Sequence, residues 1–586
     1  MRGEKMGNFK GATIFRLAIL CLGIILSSVF SGFIRDLSTN QIRQEQKLAL
    51  KQISLSKPKI IMDRAELDSP KGMRIFEIKT MAIRTDLIEK LIKEKGLQTT
   101  PIIFKKSPIQ EKIYQESERK FTRLLIDEQR GHMIMLPHLE RIATARVQLI
   151  SQDEALNLAL EHVKTLQLIP KDESKLMPKH VVTLTRAEIK PGKPAVMTDV
   201  LQTVLFQRTL DEKPVVGRGS QLFIELGDKG QLEGFSRTWN ELMVSKIVPL
   251  FRSDKEIYDD IEKTLLTQLR GEVTVQVKKP RLIYFGDDRR YVQPAYFFSA
   301  EITASNSQGK AFYWGVITAL KNPPEPVMMV RDASSRILPQ QTPASQGESP
   351  HFNLDEDDPA VGRYVVRDDS WDWVDDAADF RDGLLQGRSS SSPAITFGDY
   401  YWNEPRIWTT EERFFVDKWH IVLMEGHGNN WLFTTRSNCC DAVNLNSVSQ
   451  PGYGDRAGDS LRFLILKGCS IIPAPPDRAN WPDPWWRVFK GLRMAVGFRT
   501  SMYINDNISK HFGKHLGQNC RVLDSWFHAT NSSSSYQWER FWGSWGDEIH
   551  GYGAVVMIPG LEGNGIYNTA AAPAATSTGL TIWWQH

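Results

Sequence analysis

The chain reads as two kinds of fold in succession: an N-terminal α+β region, then an α/β domain with a parallel sheet in the last third. Three observations carry this. A helix followed by several alternating strands occurs twice before residue 335. Two short, uninterrupted apolar runs after residue 418 each end in glycine, as parallel strands covered on both faces do. Fifteen of the 17 tryptophans lie between Trp371 and Trp584, which marks a change of core. At 586 residues the chain is too long for one core, and two to four domains is the expectation.

The N-terminus carries Arg2, Lys5, Lys10 and Arg16, then an uncharged run from Leu17 to Ile34 that Arg35 ends. A basic start followed by an apolar stretch is the pattern of an export signal. The run is 18 residues long, at the lower edge of what spans a bilayer as a helix. Ser27, Ser28, Ser31 and Gly32 would permit cleavage, so residues 1–35 are a signal peptide or a signal anchor. Either way the remainder is expected to be secreted, periplasmic or at the cell surface, touching membrane only through this segment. Residues 36–55 are polar and read as a stalk.

From 56 to 150 the chain alternates between helix-like and strand-like stretches, an N-terminal α+β segment. In the region 151–335, Ser151-Gln-Asp-Glu154 caps a helix, with Ala155, Leu156, Leu158, Ala159 and Val163 at helical spacing. Strands follow in HVVTLTRAEI, VLQTVLFQRTL and SQLFIELGDKGQLEGFSRTW, the last folded back at Gly227-Asp-Lys-Gly230. A second helix, Asp254 to Leu269, precedes the strands EVTVQVKK, RLIYFG, YVQPAYFFSAEIT and KAFYWGVITAL. Residues 336–395, with the acidic run Asp355–Asp358 and the serines 389–392, read as a linker and as the place for activating cleavage. The C-terminal domain is expected over 396–586.

Charge limits the function. There are 73 basic and 69 acidic residues, a net charge of +4, without the clustered basic stripe that a nucleic-acid partner requires. Neither a cofactor nor a metal is implied. His511 and His515 lie four apart on a probable helix, but no third ligand is positioned, so a surface or core role is favoured. Of the five cysteines, Cys439, Cys440, Cys469 and Cys520 lie in the last 150 residues; their pairing is not readable from spacing. Asn507 and Asn531 head glycosylation sequons, and Trp538, Trp542 and Trp545 have the spacing of a stacking platform or of a core.

The chemistry concentrates in two segments. Trp419-His-Ile-Val-Leu-Met-Glu-Gly-His427-Gly is an apolar run ending in Gly-His-Gly, and Leu461-Arg-Phe-Leu-Ile-Leu-Lys-Gly-Cys469-Ser is one ending in Gly-Cys-Ser. In open α/β sheets the ligand site lies beyond the carboxyl ends of the strands, so neighbouring strands would deliver His427 and Cys469 to one rim. A thiolate is a nucleophile that an adjacent imidazole activates, and a glycine after the histidine lets its N–H approach a developing oxyanion together with the N–H of Cys469.

A strand ending in His-Gly followed by a strand ending in Cys resembles the caspase, gingipain and legumain group of cysteine peptidases. The histidine stands 42 residues before the cysteine, against roughly 50 in caspase-type enzymes. Trp485 to Phe498 and Val522 to Ala529 look like later elements of that fold, and residues 396–560 resemble an exported bacterial family of unknown function with such a core. The resemblance implies a caspase-like three-layer α/β domain with His427 as base, Cys469 as nucleophile and Gly428 as oxyanion donor. It implies a peptide or protein substrate and cysteine endopeptidase activity, or an inactive surface-binding relative. Cys469 follows Lys467-Gly468, so aspartate specificity is not implied; Asp455, Asp459 and Asp506 are the acids available to a specificity pocket. Farther upstream, Pro214-Val-Val-Gly-Arg-Gly-Ser-Gln-Leu-Phe-Ile-Glu, with Gly230 and Trp239, resembles PepSY-type domains, which implies a chaperoning or inhibitory N-terminal region.

Overall fold

The Ser-x-x-Glu signal at Ser151 opens a helix, and the second helix begins with the same box. Ser151 accepts a hydrogen bond from the Glu154 N–H, and Glu154 takes the Ser151 N–H in return, at the start of α1 (Gln152–Thr165); Ser253 and Glu256 repeat this box at α2 (Asp254–Gln268). The computed structural model describes residues 57–586 apart from 107–108, 270–272, 287–288, 305–309, 328–357, 366–372, 390–391, 401–402, 436–441, 448–451, 456–460, 504–506, 534–549, 568–571 and 573. The signal segment 1–35 and the stalk 36–55 therefore lie outside the described residues.

The molecule is a large mixed α/β protein with a mostly-sheet core and few helices. In the N-terminal half the strands that continue the main sheet include β1 (Ile102–Lys106), β2 (Ile109–Gln115), β3 (Thr122–Asp127), β4 (His132–Met135), β5 (Lys175–Ile189), β6 (Val196–Leu210), β7 (Leu222–Leu226) and β8 (Leu232–Arg237). In the C-terminal half they are β9 (Ala360–Val365), β10 (Thr396–Tyr400), β11 (Ile421–Glu425), β12 (Phe463–Lys467), β13 (Met494–Phe498), β14 (Gly553–Met557) and β15 (Leu580–Gln585). Strands β10, β9, β11, β12 and β13 lie side by side in that order and all parallel. Beyond them the ladder turns antiparallel through β14, β15, β5, β6, β7, β8, β4, β3, β2 and β1. The turn read at Gly227–Gly230 joins β7 to β8 as expected. The strands after α2 (Val273–Val277, Arg281–Phe285, Tyr291–Ala304 and Lys310–Thr318) form a second antiparallel ladder.

Two expectations change. The stretch 336–395 does not act as a linker where it is described: it supplies β9, at the heart of the parallel sheet, and α3 (Trp373–Gly387). Its polar composition hid a strand of only six residues, all buried. The segment from Trp485 to Phe498 yields a helix of only four residues, Trp485–Val488, before strand β13.

The parallel strands alternate cleanly. Ile421, Leu423, Phe463, Ile465, Met494 and Val496 pack against α3, α4 (Ile508–Gly517) and α5 (Val522–Asn531), with Phe380, Phe512 and Trp526 between them. Val422, Met424, Leu464 and Leu466 pack on the other face under Trp408, Trp419, Trp431 and Trp485, a layer of short turns. Helices α3 and α4 meet through Gly383, Gly387, Gly513 and Gly517. A side chain on Gly383 would stand 2.9 Å from the Lys514 nitrogen, and one on Gly513 3.0 Å from the Leu384 nitrogen.

The pairing of β15 with β5, in register from Leu580↔Ile189 to Gln585↔Leu184, makes the two halves one sheet, and Pro58–His586 is one compact unit. Residues 358–586 expressed alone would expose β15, a fully buried Leu-Thr-Ile-Trp-Trp-Gln strand, as an open edge. That fragment is therefore expected to aggregate where residues 58–586 stay soluble, which size-exclusion chromatography of the two checks.

The joined halves also bury charge. Burial first, then the neighbouring Asp524 carboxylate, push the Glu225 carboxyl from 4.5 up to about 8. The folded state keeps a proton that the unfolded chain loses, so Glu225 contributes stability at low pH that is lost as pH rises from about 4.5 to about 8. Glu225→Gln should flatten the fall in urea midpoint between pH 5 and pH 9, measured against the parent chain.

Candidate active site

Strands β11 and β12 pair in parallel from Ile421↔Phe463 to Glu425↔Lys467. His427 and Cys469 each stand two residues past that last pair, at the same level on adjacent strands and on the carboxyl edge. The backbones stay close beyond the ladder: the Gly426 N–H donates to the Lys467 carbonyl at 3.2 Å. A side chain on Gly468 would come within 2.7 Å of the Gly426 oxygen and 3.3 Å of the Gly428 nitrogen, and one on Gly428 would meet the Cys469 carbonyl at 2.8 Å. Glycine on both sides of the pair is thus a steric requirement of bringing the two strand ends together.

The turns that follow are tied to each other. Asn430 and Trp431, both at positive φ, donate their N–H groups to the Ser470 and Ile471 carbonyls at 2.8 and 3.0 Å. Ser470, itself at φ 51°, donates to Thr500 at 3.0 Å. Residues Gly428–Asn429 pair back with Leu432–Thr434, and the Thr434 N–H donates to the His427 carbonyl at 2.9 Å. Hydrogen-bonded and non-bonded pairs alternate in an antiparallel ladder, so the next pair, Gly428↔Phe433, leaves the Gly428 N–H directed away from the hairpin.

His427 is 8% exposed, and its ring meets Trp373, the first residue of α3, edge-on at 5.6 Å. Cys469 is half-buried, and the Met502 N–H points at its sulfur from 3.4 Å. Both side chains are on the α3/α4 side of the sheet, where Cys469 packs against the main apolar cluster. The order β10–β9–β11–β12–β13 is second-first-third-fourth-fifth in the chain, so the sheet reverses its direction of growth between β9 and β11. Open α/β sheets hold their ligands beyond such a switch point. Trp373, which follows β9, and His427, which follows β11, flank it.

A tier of buried charge lies one alternation below. Lys467 and Asp376, on the first turn of α3, form an ion pair that solvent does not reach, and Glu425, opposite Lys467 in the ladder, accepts from the Ser509 hydroxyl of α4 at 3.3 Å. Sequence reasoning passed over Asp376, Ser509, Trp373 and Met502. Only Glu425 and Lys467 carried a signal, as charges closing otherwise apolar runs.

The remaining sequence candidates separate from this rim. His515 is buried, with its Nε2 at 3.1 Å from the Nδ1 of His528; burial holds His515 well below the usual imidazole range and His528 at about 3, so the pair is neutral. Among the described residues no cluster of three or more His, Cys, Asp or Glu is placed to hold a metal ion. Cys520 is buried and free, and burial raises its thiol well above the ordinary range. Asn531 cannot serve as a glycan acceptor in the folded chain: it is 2% exposed, donating to Thr203 and accepting from Gln585. Asp455 is exposed. Cys439, Cys440, Asp459, Asp506, Trp538, Trp542 and Trp545 lie outside the described residues.

Residues 399–549 match the family described as a domain of unknown function, DUF6345. The match takes in β11, β12, His427, Cys469, α4 and α5, and leaves out β9, α3, β14 and β15. No curated protein matches the chain. Among solved structures, an uncharacterized protein from Eubacterium rectale ATCC 33656 aligns at 12% identity over 46% of this chain and 91% of that one, with a TM-score of 0.28.

Lys467→Met would take the lysine away from buried Asp376, a loss of about 3–5 kcal/mol, whereas the double variant Lys467→Met/Asp376→Leu should lose markedly less than the sum of the two single changes. Denaturant midpoints of the four proteins test this.

Proposed function

We propose that this protein is a cysteine endopeptidase of caspase-like fold in which Cys469 attacks a peptide carbonyl and His427 takes and returns the proton. The observation that carries the reading is the in-register ending of β11 and β12, which sets an imidazole and a thiol at one level on the carboxyl edge of the sheet. In the first step the His427 imidazole accepts the thiol proton as sulfur bonds to the carbonyl carbon. The proton then goes to the leaving amine, and water hydrolyses the thioester with His427 as base. The Gly428 N–H, turned away from its hairpin, and the N–H of Cys469 are the donors for the tetrahedral oxyanion. The Met502 N–H beside sulfur is a further donor to a thiolate. Trp373, edge-on to the imidazole, limits the ring's rotation.

A helix-covered parallel sheet with His after its third strand and Cys after its fourth supports the caspase-like reading over a bare thiol in a core. The N-terminal region then acts by completing the sheet, a chaperoning role built into the fold. The basic and apolar N-terminus supports an exported address, signal-cleaved or anchored.

A thiol-reactive peptidyl probe tests the reading. Labelling should map to Cys469, vanish in Cys469→Ala, persist in Cys520→Ala, and fall by about 10²–10⁴ in rate in His427→Ala. Equal labelling of the wild-type and Cys469→Ala chains would refute the peptidase and leave a binding protein.

A further inference from the structure

At the amino end of the parallel sheet, opposite the Cys469 rim, two arginines stand side by side. The ladder of β12 and β13 begins at Phe463↔Met494, and Arg462 and Arg493 each precede it by one residue. The Arg493 N–H donates to the Arg462 carbonyl at 2.9 Å, and the Ile558 N–H to the Arg493 carbonyl at 3.1 Å, so the backbone there is committed. Side chains alternate along a strand, which sends both arginines to the face of Leu464 and Ala495, the tryptophan layer.

Arg493 is 2% exposed. Its Nη1 donates to Asn564 Oδ1 at 2.6 Å, whereas Nε and Nη2 are buried and no described residue accepts from either. Those two nitrogens carry parallel N–H bonds along one side of the guanidinium, the fork that grips two oxygens of a carboxylate or phosphate. No described Asp or Glu pairs with Arg493. Other buried arginines are answered by acids: Arg208 by Asp172 at 2.5 Å, Arg521 by Glu116 at 2.5 Å and Arg123 by Glu116 at 3.3 Å. Arg237 lacks an acid but donates from Nη2 to the Gly131 carbonyl and from Nη1 to the Met81 sulfur, which leaves it no open fork. Burial first, then the neighbouring Arg462, bring the Arg493 guanidinium down to about 10, still a cation at pH 7. A cation taken out of water without a counter-charge is costly, and a second cation beside it adds repulsion. A bound oxyanion relieves both.

We propose that Arg493, with Arg462 beside it, is the receptor for a small oxyanion, a phosphate or carboxylate, at the amino end of β12 and β13. Arg462 and Asn564 are half-buried, so the fork lies one side chain below the surface, within reach of a small ion and not of a polypeptide. The site is independent of the peptidase reading. Its ion would brace the two strands whose far ends carry Cys469 and the turn with Met502.

Equilibrium dialysis of the full chain against radiolabelled inorganic phosphate tests this. A single phosphate per chain should be retained at about millimolar concentration, displaced by sulfate but not by chloride at equal ionic strength. Arg493→Met should abolish retention, and Arg493→Lys, which keeps the charge and loses the fork, should weaken it by about tenfold or more. Arg462→Gln should weaken phosphate more than a competing acetate, because a dianion gains more from the second cation. The thermal midpoint should rise with phosphate in the wild type and stay fixed in Arg493→Met, a readout that also shows each variant to be folded. A wild-type chain that retains neither phosphate, sulfate nor acetate, or retention that survives Arg493→Met, overturns the proposal. Labelling of Cys469 by a peptidyl probe is a separate readout, and its failure would remove the enzyme and leave the anion site standing.

Discussion

Everything at the rim depends on the parallel register between β11 and β12. Side chains alternate along a strand with a period of two, so a slip of one residue would send either His427 or Cys469 to the opposite face, into the tryptophan layer. Five consecutive pairs, Ile421↔Phe463 through Glu425↔Lys467, specify that register because every residue in both strands is buried. The glycines at 428 and 468 then let the two chains continue side by side past the last pair.

The same register creates a cost that the helices offset. Glu425 and Lys467 point into the α3/α4 layer, where unpaired charge would be prohibitive. Asp376 and Ser509 answer them from α3 and α4, and those helices can come close enough to do so because glycines line their contact. The ion pair is weak evidence for stability in itself, since apolar residues of equal size often do as well. Its effect here is geometric: it anchors the first turn of α3, and with it Trp373 against the His427 ring.

The sheet does not end with the parallel strands. β14 and β15 reverse direction and hand the ladder to β5, so the N-terminal half continues the sheet that holds the rim. A region whose strands are hydrogen-bonded into the sheet along its full width is a structural part of the site.

Much was legible in the residues alone, and for local reasons. The capping box at Ser151, the Gly227–Gly230 turn and the period-two runs depend on neighbours within a few positions. The candidate pair was legible too, because Gly-His-Gly and Gly-Cys-Ser after buried strands are local patterns, and their order along the chain limits where they can stand. What the tertiary structure alone decided involves partners far apart in sequence. Strand β9 is six residues inside a polar stretch, and its identity rests on being paired on both edges. Asp376 opposite Lys467, Met502 beside Cys469 and His180 beside Tyr552 are contacts between separate elements, which no spacing rule encodes. Composition separated the two halves of the chain; only the pairing of β15 with β5, a long-range hydrogen-bond ladder between residues about 400 apart, joined them into one sheet.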